Sequence, residues 1–251
     1  MPLQIVQLTD IHLCDDPSQV LLGVNTDKSF DRVLSHLKRN LPDLLLLTGD
    51  LTQDGGKPSY RRLLQKVKQL SIPAYYLPGN HDDLQAMAEI IPPDSLAINR
   101  SVVVEGWHLV LLSSVVPGLV EGKLGSRTLL WLEQALQEYP ELPTLVALHH
   151  PVLPLGSPWL DRLGLQDSEE FWRICGSYPQ VKVVIAGHAH QEQEVLRFTA
   201  KGMVRCLVTP STCAQFKPHS PDFATDNLPP GFRRLTLQPD GKVTTTVYRV
   251  N

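Results

Sequence analysis

The sequence predicts an α/β protein in which a layered mixed sheet carries helices on its outside. Three features say so. Short aliphatic or β-branched runs alternate with amphipathic helical patterns as far as residue 193. Beyond that point only strand-like runs follow. No internal repeat, low-complexity tract or Gly/Ser linker divides the chain, so 1–251 reads as a single domain whose C-terminal part, 194–251, is mostly β.

The first strand is LQIVQLTD (3–10), and the pattern DKSFDRVLSHLKRN after it places Phe30, Val33, Leu34 and Leu37 on one helical face. DLLLLTGD (43–50) is apolar without alternation, as a strand buried on both faces must be. Pro58 suits the first turn of a helix bearing Leu63, Leu64, Val67 and Leu70, and IPAYYLPG is a third strand. SVVVEGWHLVLLSS (101–114) predicts a hairpin turning at Glu105-Gly106. Ser126 is the expected N-cap of a helix through Leu129, Leu132 and Leu136. PTLVALHH (143–150) and VKVVIAGHAH (181–190) are strands separated by a long loop and the helix SEEFWRICGSY. EVLRFT, MVRCLVTP, FRRLTLQ and VTTTVYRV complete the sheets, the last two joined at PDG.

Composition narrows the classes. A hydrophobic fraction of 42% and a charged fraction of 20% are those of a soluble globular domain with a substantial core. The net charge of −3 argues against a nucleic-acid-binding surface. The N-terminus MPLQIVQLTD lacks the basic start and long apolar region of a signal peptide, and the longest aliphatic run, LLLL at 44–47, is too short to span a bilayer. Cys14, Cys175, Cys206 and Cys213 form no CxxC pair, which fits free thiols, and the chain is expected to be cytoplasmic, with no membrane partner. Cys14 and Cys213 are expected to be small apolar fillers rather than metal ligands.

Chemistry is concentrated just past the strand ends. TDIH (9–12), TGDLTQD (48–54), GNHDD (79–83), LHHP (148–151) and GHAH (187–190) each follow an apolar run, and six of the nine histidines lie in these clusters. Open α/β sheets build their sites beyond the carboxyl ends of strands, so the five clusters could converge. Each taken singly is compatible with a polar strand end or a turn. Asp10-x-His12 places two side chains on one face if the segment is extended, and His188-x-His190 could aim two imidazoles at one point. Together they amount to two aspartates, one asparagine and four or five imidazoles, enough for two metal ions. Two neighbouring divalent cations repel unless an anion lies between them, and Asp50 is the natural bridge because its strand should be central.

The series Asp10-x-His12, Gly49-Asp50, Gly79-Asn80-His81-Asp82, His149-His150-Pro151 and Gly187-His188-x-His190 resembles the calcineurin-like metallophosphoesterases, in the same order and across residues 10 to 190. The resemblance implies a four-layer αββα sandwich of two mixed β-sheets flanked by helices, with a dinuclear metal centre. It implies Asp10, His12 and His190 on one ion, Asn80, His149 and His188 on the other, and Asp50 bridging. GDLTQDG, LPGNHDD, PLGSPWLDRLGL (154–165) and STCAQFKPHSPDF (211–223) are similar more narrowly to bacterial class III 3′,5′-cyclic AMP phosphodiesterases. Many members of the wider family carry, three residues after the bridging aspartate, another aspartate that orients the catalytic histidine. Here that position is Gln53, so Asp54, Asp82 or no carboxylate at all could orient His81.

The reaction so implied is hydrolysis of cyclic AMP to 5′-AMP by metal-bound hydroxide. Two divalent ions less Asp10, Asp50 and a bridging hydroxide leave about one positive charge, matched to a phosphodiester monoanion. Fe²⁺ or Mn²⁺ is expected, with Co²⁺ or Zn²⁺ also accepted by such ligands. His81 is the expected catalytic group, stabilising or protonating the departing oxygen. Substrate is expected to meet His12, Asp50, Asn80, His81 and His190. His150 could hydrogen-bond phosphate or only pack. Phe216, Lys217 and His219 could belong to a lid within 211–230, with Phe216 stacking on the base. The alternatives are activity on another phosphodiester, such as a glycerophosphodiester, and a non-catalytic scaffold, against which stands the full set of ligands. A monomer or homodimer is expected.

Overall fold

Strand β1 (Leu3–Leu8) points Leu3 and Ile5 one way and Val6 and Leu8 the other, and all four are buried. That period-two alternation gives each strand two apolar faces, so both must be covered. The structure, a computed structural model, describes residues 1–250. In it β1 lies in a five-stranded sheet with β4 (Leu44–Thr48), β5 (Ala74–Leu77), β14 (Gly231–Leu237) and β15 (Val243–Arg249), in the order β15-β14-β1-β4-β5. β1, β4 and β5 run parallel, while β14 is antiparallel to both its neighbours.

The second sheet holds β6 (Arg100–Val104), β7 (Trp107–Leu111), β8 (Thr144–Ala147), β9 (Val181–Ala186), β10 (Gln193–Thr199) and β11 (Gly202–Val208), ordered β10-β11-β9-β8-β7-β6. Its four inner strands are parallel and its two edges antiparallel. The hairpin between β6 and β7 turns at Glu105 and Gly106, with φ of 48° and 79°. Both values suit the tight turn that the right-handed strand twist favours.

Leu3, Ile5, Leu46, Leu109, Leu145, Ile185 and Leu235 form one core between the sheets. The opposite faces are covered by helices. Val6, Leu8 and Leu47 pack under α1 (Thr26–Leu37), α2 (Lys57–Lys68) and α3 (Leu84–Ile90). Val110, Val146 and Val184 pack under α4 (Gly125–Glu138) and α6 (Ser168–Cys175). The architecture is therefore the four-layer αββα sandwich. No helix among the described residues is long and apolar enough to cross a membrane. The C-terminal β part splits between the sheets, β10 and β11 joining one and β14 and β15 the other.

Three details differ from the sequence reading. Asp83 accepts a hydrogen bond from the backbone N–H of Ala86 at 2.7 Å and so caps α3, a helix that the carboxylate-rich GNHDD motif obscures. The long loop before α6 contains one helical turn, α5 (Pro158–Asp161). Ser126 is not a cap: it lies inside α4, which starts at Gly125. The cap comes instead from a distant loop, since the Asp167 carboxylate accepts from the N–H groups of Leu124 (3.0 Å) and Gly125 (2.8 Å). Only tertiary packing brings it there.

The parallel strands of both sheets end level, and the two ends meet. Thr48 pairs with Leu77 in one sheet, and Ala147 with Ile185 in the other. Between them, the buried Gln7 amide donates to Thr48 Oγ1 (2.9 Å) and to the Ala186 carbonyl (3.0 Å), one in each sheet. Thr209 donates to Gln7 Oε1 at 2.5 Å, and Arg233 donates to Thr209 at 3.0 Å. This buried chain sets the relative height of the sheets. Asp167→Ala should cost about 1–3 kcal/mol of stability, because it strands two N–H groups at the start of α4; equilibrium denaturation that finds no loss would show that the cap is dispensable.

Candidate metal centre

The loops that leave the level strand ends carry all the clustered side chains. Two small hydrogen-bond ladders hold the first of these loops: Asp10 N–H donates to Gly49 O at 3.0 Å and His12 N–H to Asp50 O at 2.9 Å. The segment around Asp10 and His12 is not extended, as the D-x-H spacing suggested. Asp10, His12, Asp50, His188 and His190 all have left-handed backbones, with φ between 49° and 65°. Non-glycine residues in that region cost about 1–3 kcal/mol each, and such strain gathers at functional sites. The left-handed turn is what rotates each side chain inward.

Glycines make the crowding feasible. A Cβ on Gly79 would lie 2.2 Å from Asp50 Oδ1, and one on Gly187 would lie 2.0 Å from Thr9 Oγ1 and 2.7 Å from Asp10 Oδ2. The motif glycines are therefore points of close approach between strand ends, in addition to any turn they form.

The side chains fall into two groups. In the first, His190 Nε2 is 3.3 Å from Asp10 Oδ1 and 3.2 Å from His12 Nε2. In the second, His188 Nδ1 is 3.0 Å from Asn80 Oδ1, and the His149 and His188 rings meet edge to face with centroids 5.2 Å apart. Asp50 lies against both: its Oδ2 is 3.7 Å from His12 Nε2 and 3.4 Å from His149 Nε2. Its Oδ1 accepts the His81 N–H at 2.9 Å, so the turn after β5 orients it.

These residues fit divalent cations. Three imidazoles have Nδ1 against an oxygen acceptor: His12 against Gln53 Oε1 (2.9 Å), His149 against Thr48 O (2.9 Å) and His190 against Ala214 O (2.8 Å). In the neutral ring each Nδ1 therefore carries the proton, and each Nε2 lone pair is free for a cation. Two such lone pairs 3.2 Å apart, on His12 and His190, repel unless a cation accepts both. The buried Nε2 atoms of His149 and His188 have no hydrogen-bond partner. Asp10 and Asp50 are buried with only histidines as ion-pair partners among the described residues. Oxygen and imidazole donors of this kind suit first-row divalent metals.

Electrostatics points the same way. Burial raises the Asp50 carboxyl, yet His149 and His12 draw it well below the ordinary carboxylate range. Burial lowers His149, but the adjacent Asp50 outweighs it and lifts the ring to about 9. Burial pushes His12 down to about 4 against the pull of Asp50, and it pushes His188 well down together with its imidazole neighbours His150 and His149. Asp10 and Asp50 therefore stay ionised, which holds negative charge among the imidazoles.

The remaining sequence candidates are placed as follows. His81 is exposed, and its Nδ1 is 3.3 Å from the Gln53 carbonyl. No carboxylate orients it. Asp54 is exposed and accepts from Asp15 N–H, while buried Asp82 accepts from Gly79, Leu51 and Thr52 N–H and from Tyr60. Burial, reinforced by Asp50, raises Asp82 to about 6. His150 has both ring nitrogens engaged, with Ser114 Oγ at 2.8 Å and Val120 O at 3.0 Å, which leaves neither for phosphate. Cys14 and Cys213 are buried.

A cleft of about 230 Å³ opens onto the centre, lined on one side by His12, Asp50, Asn80, His81, His188 and His190. Phe216 lines it too, but one face of its ring is stacked on His190 at 4.1 Å and 5°. That face is closed to a base. Lys217 and His219 are exposed and are not among the lining residues. Nor is 211–230 all lid. Ser211 to Gln215 are buried, with Ser211 donating to Asp10 O at 2.7 Å and Ala214 holding His190. Sequence reasoning missed the supporting roles of the Thr48, Gln53 and Ala214 oxygens, although Thr48 and Gln53 lie in the cluster 48–54 and Ala214 in the segment 211–223.

The family model described as calcineurin-like phosphoesterase matches residues 3–192. A 3′,5′-cyclic-nucleotide phosphodiesterase from Nostoc sp. is 44% identical over 100% of this chain and 93% of its own length. The 3′,5′-cyclic adenosine monophosphate phosphodiesterase CpdA of Vibrio vulnificus is 41% identical over 99% of this chain and 90% of its own. A dimetal phosphatase from Danio rerio superposes with a TM-score of 0.66 over 100% of both chains, at 15% identity, a likeness of fold.

Asp50→Ala should leave well under two metal ions per chain after reconstitution, because removal of the shared carboxylate exposes each cation to the other. Elemental analysis giving full occupancy in that variant would show that Asp50 is not shared.

Proposed function

The chain belongs to the calcineurin-like phosphoesterase family, and from that premise we propose that it hydrolyses 3′,5′-cyclic AMP to 5′-AMP with two divalent metal ions. One observation carries the metal count: Asp50 Oδ2 lies within 3.7 Å of imidazoles from both side-chain groups. Asp10, His12 and His190 would hold one ion and Asn80, His149 and His188 the other, with Asp50 shared. Fe²⁺ or Mn²⁺ suits the nitrogen and oxygen donors, and Co²⁺ or Zn²⁺ would also bind. When bound, the ions lower the pKa of a water molecule and neutralise phosphate oxygens.

The chain's own groups do the rest. The phosphate enters where His12, Asp50, Asn80, His81 and His190 line the cleft. A water that has given one proton to solvent bonds through its oxygen to phosphorus, the bond from phosphorus to the 3′-oxygen breaks, and that oxygen takes up a proton. His81 supplies it. Its Nδ1 faces the Gln53 carbonyl, which leaves Nε2 as the proton-donating atom of the ring. A backbone carbonyl in place of a carboxylate positions the ring without adding a negative charge beside the leaving oxygen.

The net charge of −3 favours a small anionic substrate over nucleic acid. The protein is expected to act as a monomer or a homodimer. Four buried free thiols fit the reducing cytoplasm. A second reading is activity on other diesters, because the metal-side groups that line the cleft would hold the phosphate of any of them.

The test is turnover of cyclic AMP, cyclic GMP, glycerophosphodiesters and bis(4-nitrophenyl) phosphate on one metal-reconstituted preparation. Release of 5′-AMP is expected; brisk hydrolysis of the nitrophenyl diester with no 5′-AMP would leave a phosphodiesterase of another specificity. His81→Ala should keep its metals and lose about 10²-fold or more in kcat on cyclic AMP. The loss should shrink on nitrophenyl esters, whose leaving group needs no proton. An equal loss on both would mean that the His81 side chain serves another purpose, such as holding Asn80 in place.

A further inference from the structure

Beyond the metal side, the cleft has a second wall of different chemistry. Leu22, Val120, Trp159, Leu163, Phe216 and Phe223 line it, without a charged side chain. Trp159, Phe216 and Phe223 are mutually edge-on, with ring centroids 5.3 to 5.5 Å apart. Phosphoester chemistry requires none of this. Three of these residues are also exposed to a degree unusual for large apolar side chains: Leu22 at 45%, Val120 at 48% and Phe223 at 53%. They come from separate loops. Leu22 sits at the tip of the hairpin formed by β2 (Val20–Leu21) and β3 (Val24–Asn25), and Phe223 in that formed by β12 (Gln215–Phe216) and β13 (Thr225–Asp226). Exposed apolar residues that converge on one mouth mark a binding surface.

We propose that this wall is the nucleobase subsite, with the base stacking on the exposed Phe223 ring and meeting the Trp159 ring edge to face, while Leu22 and Val120 cover it. The proposal rests on the cyclic-nucleotide reading above and extends it to how the base is recognised. The occupant follows from continuity. In a cyclic nucleotide, a phosphate on the metal side of this cleft carries, one sugar away, a planar aromatic base whose π-faces suit the adjoining wall. Phe216, with one face on His190, joins the two halves and does not itself sandwich the base.

The wall also limits what can be read. Its single polar side-chain atom among these six residues is the Trp159 indole N–H, which has no protein partner. Stacking tolerates any base, because every base has a π-face, and discrimination between bases needs hydrogen bonds. Cyclic AMP and cyclic GMP should therefore be turned over within a few-fold of each other, and both far better than a cyclic phosphate without a base.

The experiment compares kcat/KM for cyclic AMP and for base-free ribose 3′,5′-cyclic phosphate in the metal-loaded wild type, in Phe223→Ala and Trp159→Ala, and in the aromatic replacements Phe223→Tyr and Trp159→Phe. In each alanine variant the ratio of the two values should fall about tenfold, through KM for the nucleotide, as loss of one aromatic contact to the base implies. The aromatic replacements should restore most of that ratio. A ratio that stays at the wild-type value in both alanine variants overturns the subsite, whatever happens to the absolute rates. A wild type that cleaves the base-free compound but releases no 5′-AMP overturns the cyclic-nucleotide reading itself, and the two failures are thus distinct.

Discussion

Asp10 and Asp50 are buried at the seam between the two sheets, with histidines but no lysine or arginine as ion-pair partners among the described residues. A buried carboxylate without a cation costs several kcal/mol, and here there are two, ringed by imidazoles whose lone pairs face one another. Metal cations held by these groups would resolve both problems at once. The left-handed backbones at Asp10, His12, Asp50, His188 and His190 then have a cause, since each strained residue turns a donor toward shared positive charge. Even the glycines beside the ligands follow, because a methyl group at Gly79 or Gly187 would strike the very carboxylates that need the cations.

Such a site can exist only if the sheets are held at a fixed height. Each of its two groups takes residues from both sheets: Asp10 and His12 follow β1, whereas His190 follows β9; Asn80 follows β5, whereas His149 follows β8. A slip of one sheet against the other would pull each group apart. The Gln7 amide, bonded to Thr48 in one sheet and Ala186 in the other, opposes that slip, and Thr209 and Arg233 complete its hydrogen bonds. The inner core of leucine and isoleucine supplies the adhesion, but apolar packing is indifferent to small shifts. The directional polar chain is what sets the register.

The cleft divides its labour by chemistry. One side is made of charged and hydrogen-bonding groups whose positions are fixed by second partners, as Gln53 fixes His12 and Ala214 fixes His190. The other is made of rings and aliphatic side chains on two short hairpins and a loop, with no hydrogen bonds to offer a ligand beyond one indole N–H. The first can demand a geometry of the phosphate. The second can only reward flat apolar area. An enzyme so built is strict about the bond it breaks and lenient about the group it holds.

Much of this was legible in the residue string. Strand types, the hairpin at Glu105-Gly106 and the layered α/β architecture follow from periodicity and turn chemistry, which are local properties. The candidate site residues were also visible, because Asp10, His12, Asp50, Asn80, His81, His149, His188 and His190 each sit just past an apolar strand. What no local pattern contains is the partner of a group far away in the chain. The cap of α4 comes from Asp167 and not from nearby Ser126; His12 is held by Gln53 and His190 by the Ala214 carbonyl; Phe216 stacks on a ligand, and Trp159 and Phe223 meet only across folded loops. The sequence by itself determined which side chains would stand at the strand ends, because the period of a strand and the residue that breaks it are neighbours. The tertiary structure alone decided which way each one faces and what holds it there, because those contacts span dozens of residues and arise from the packing of two sheets.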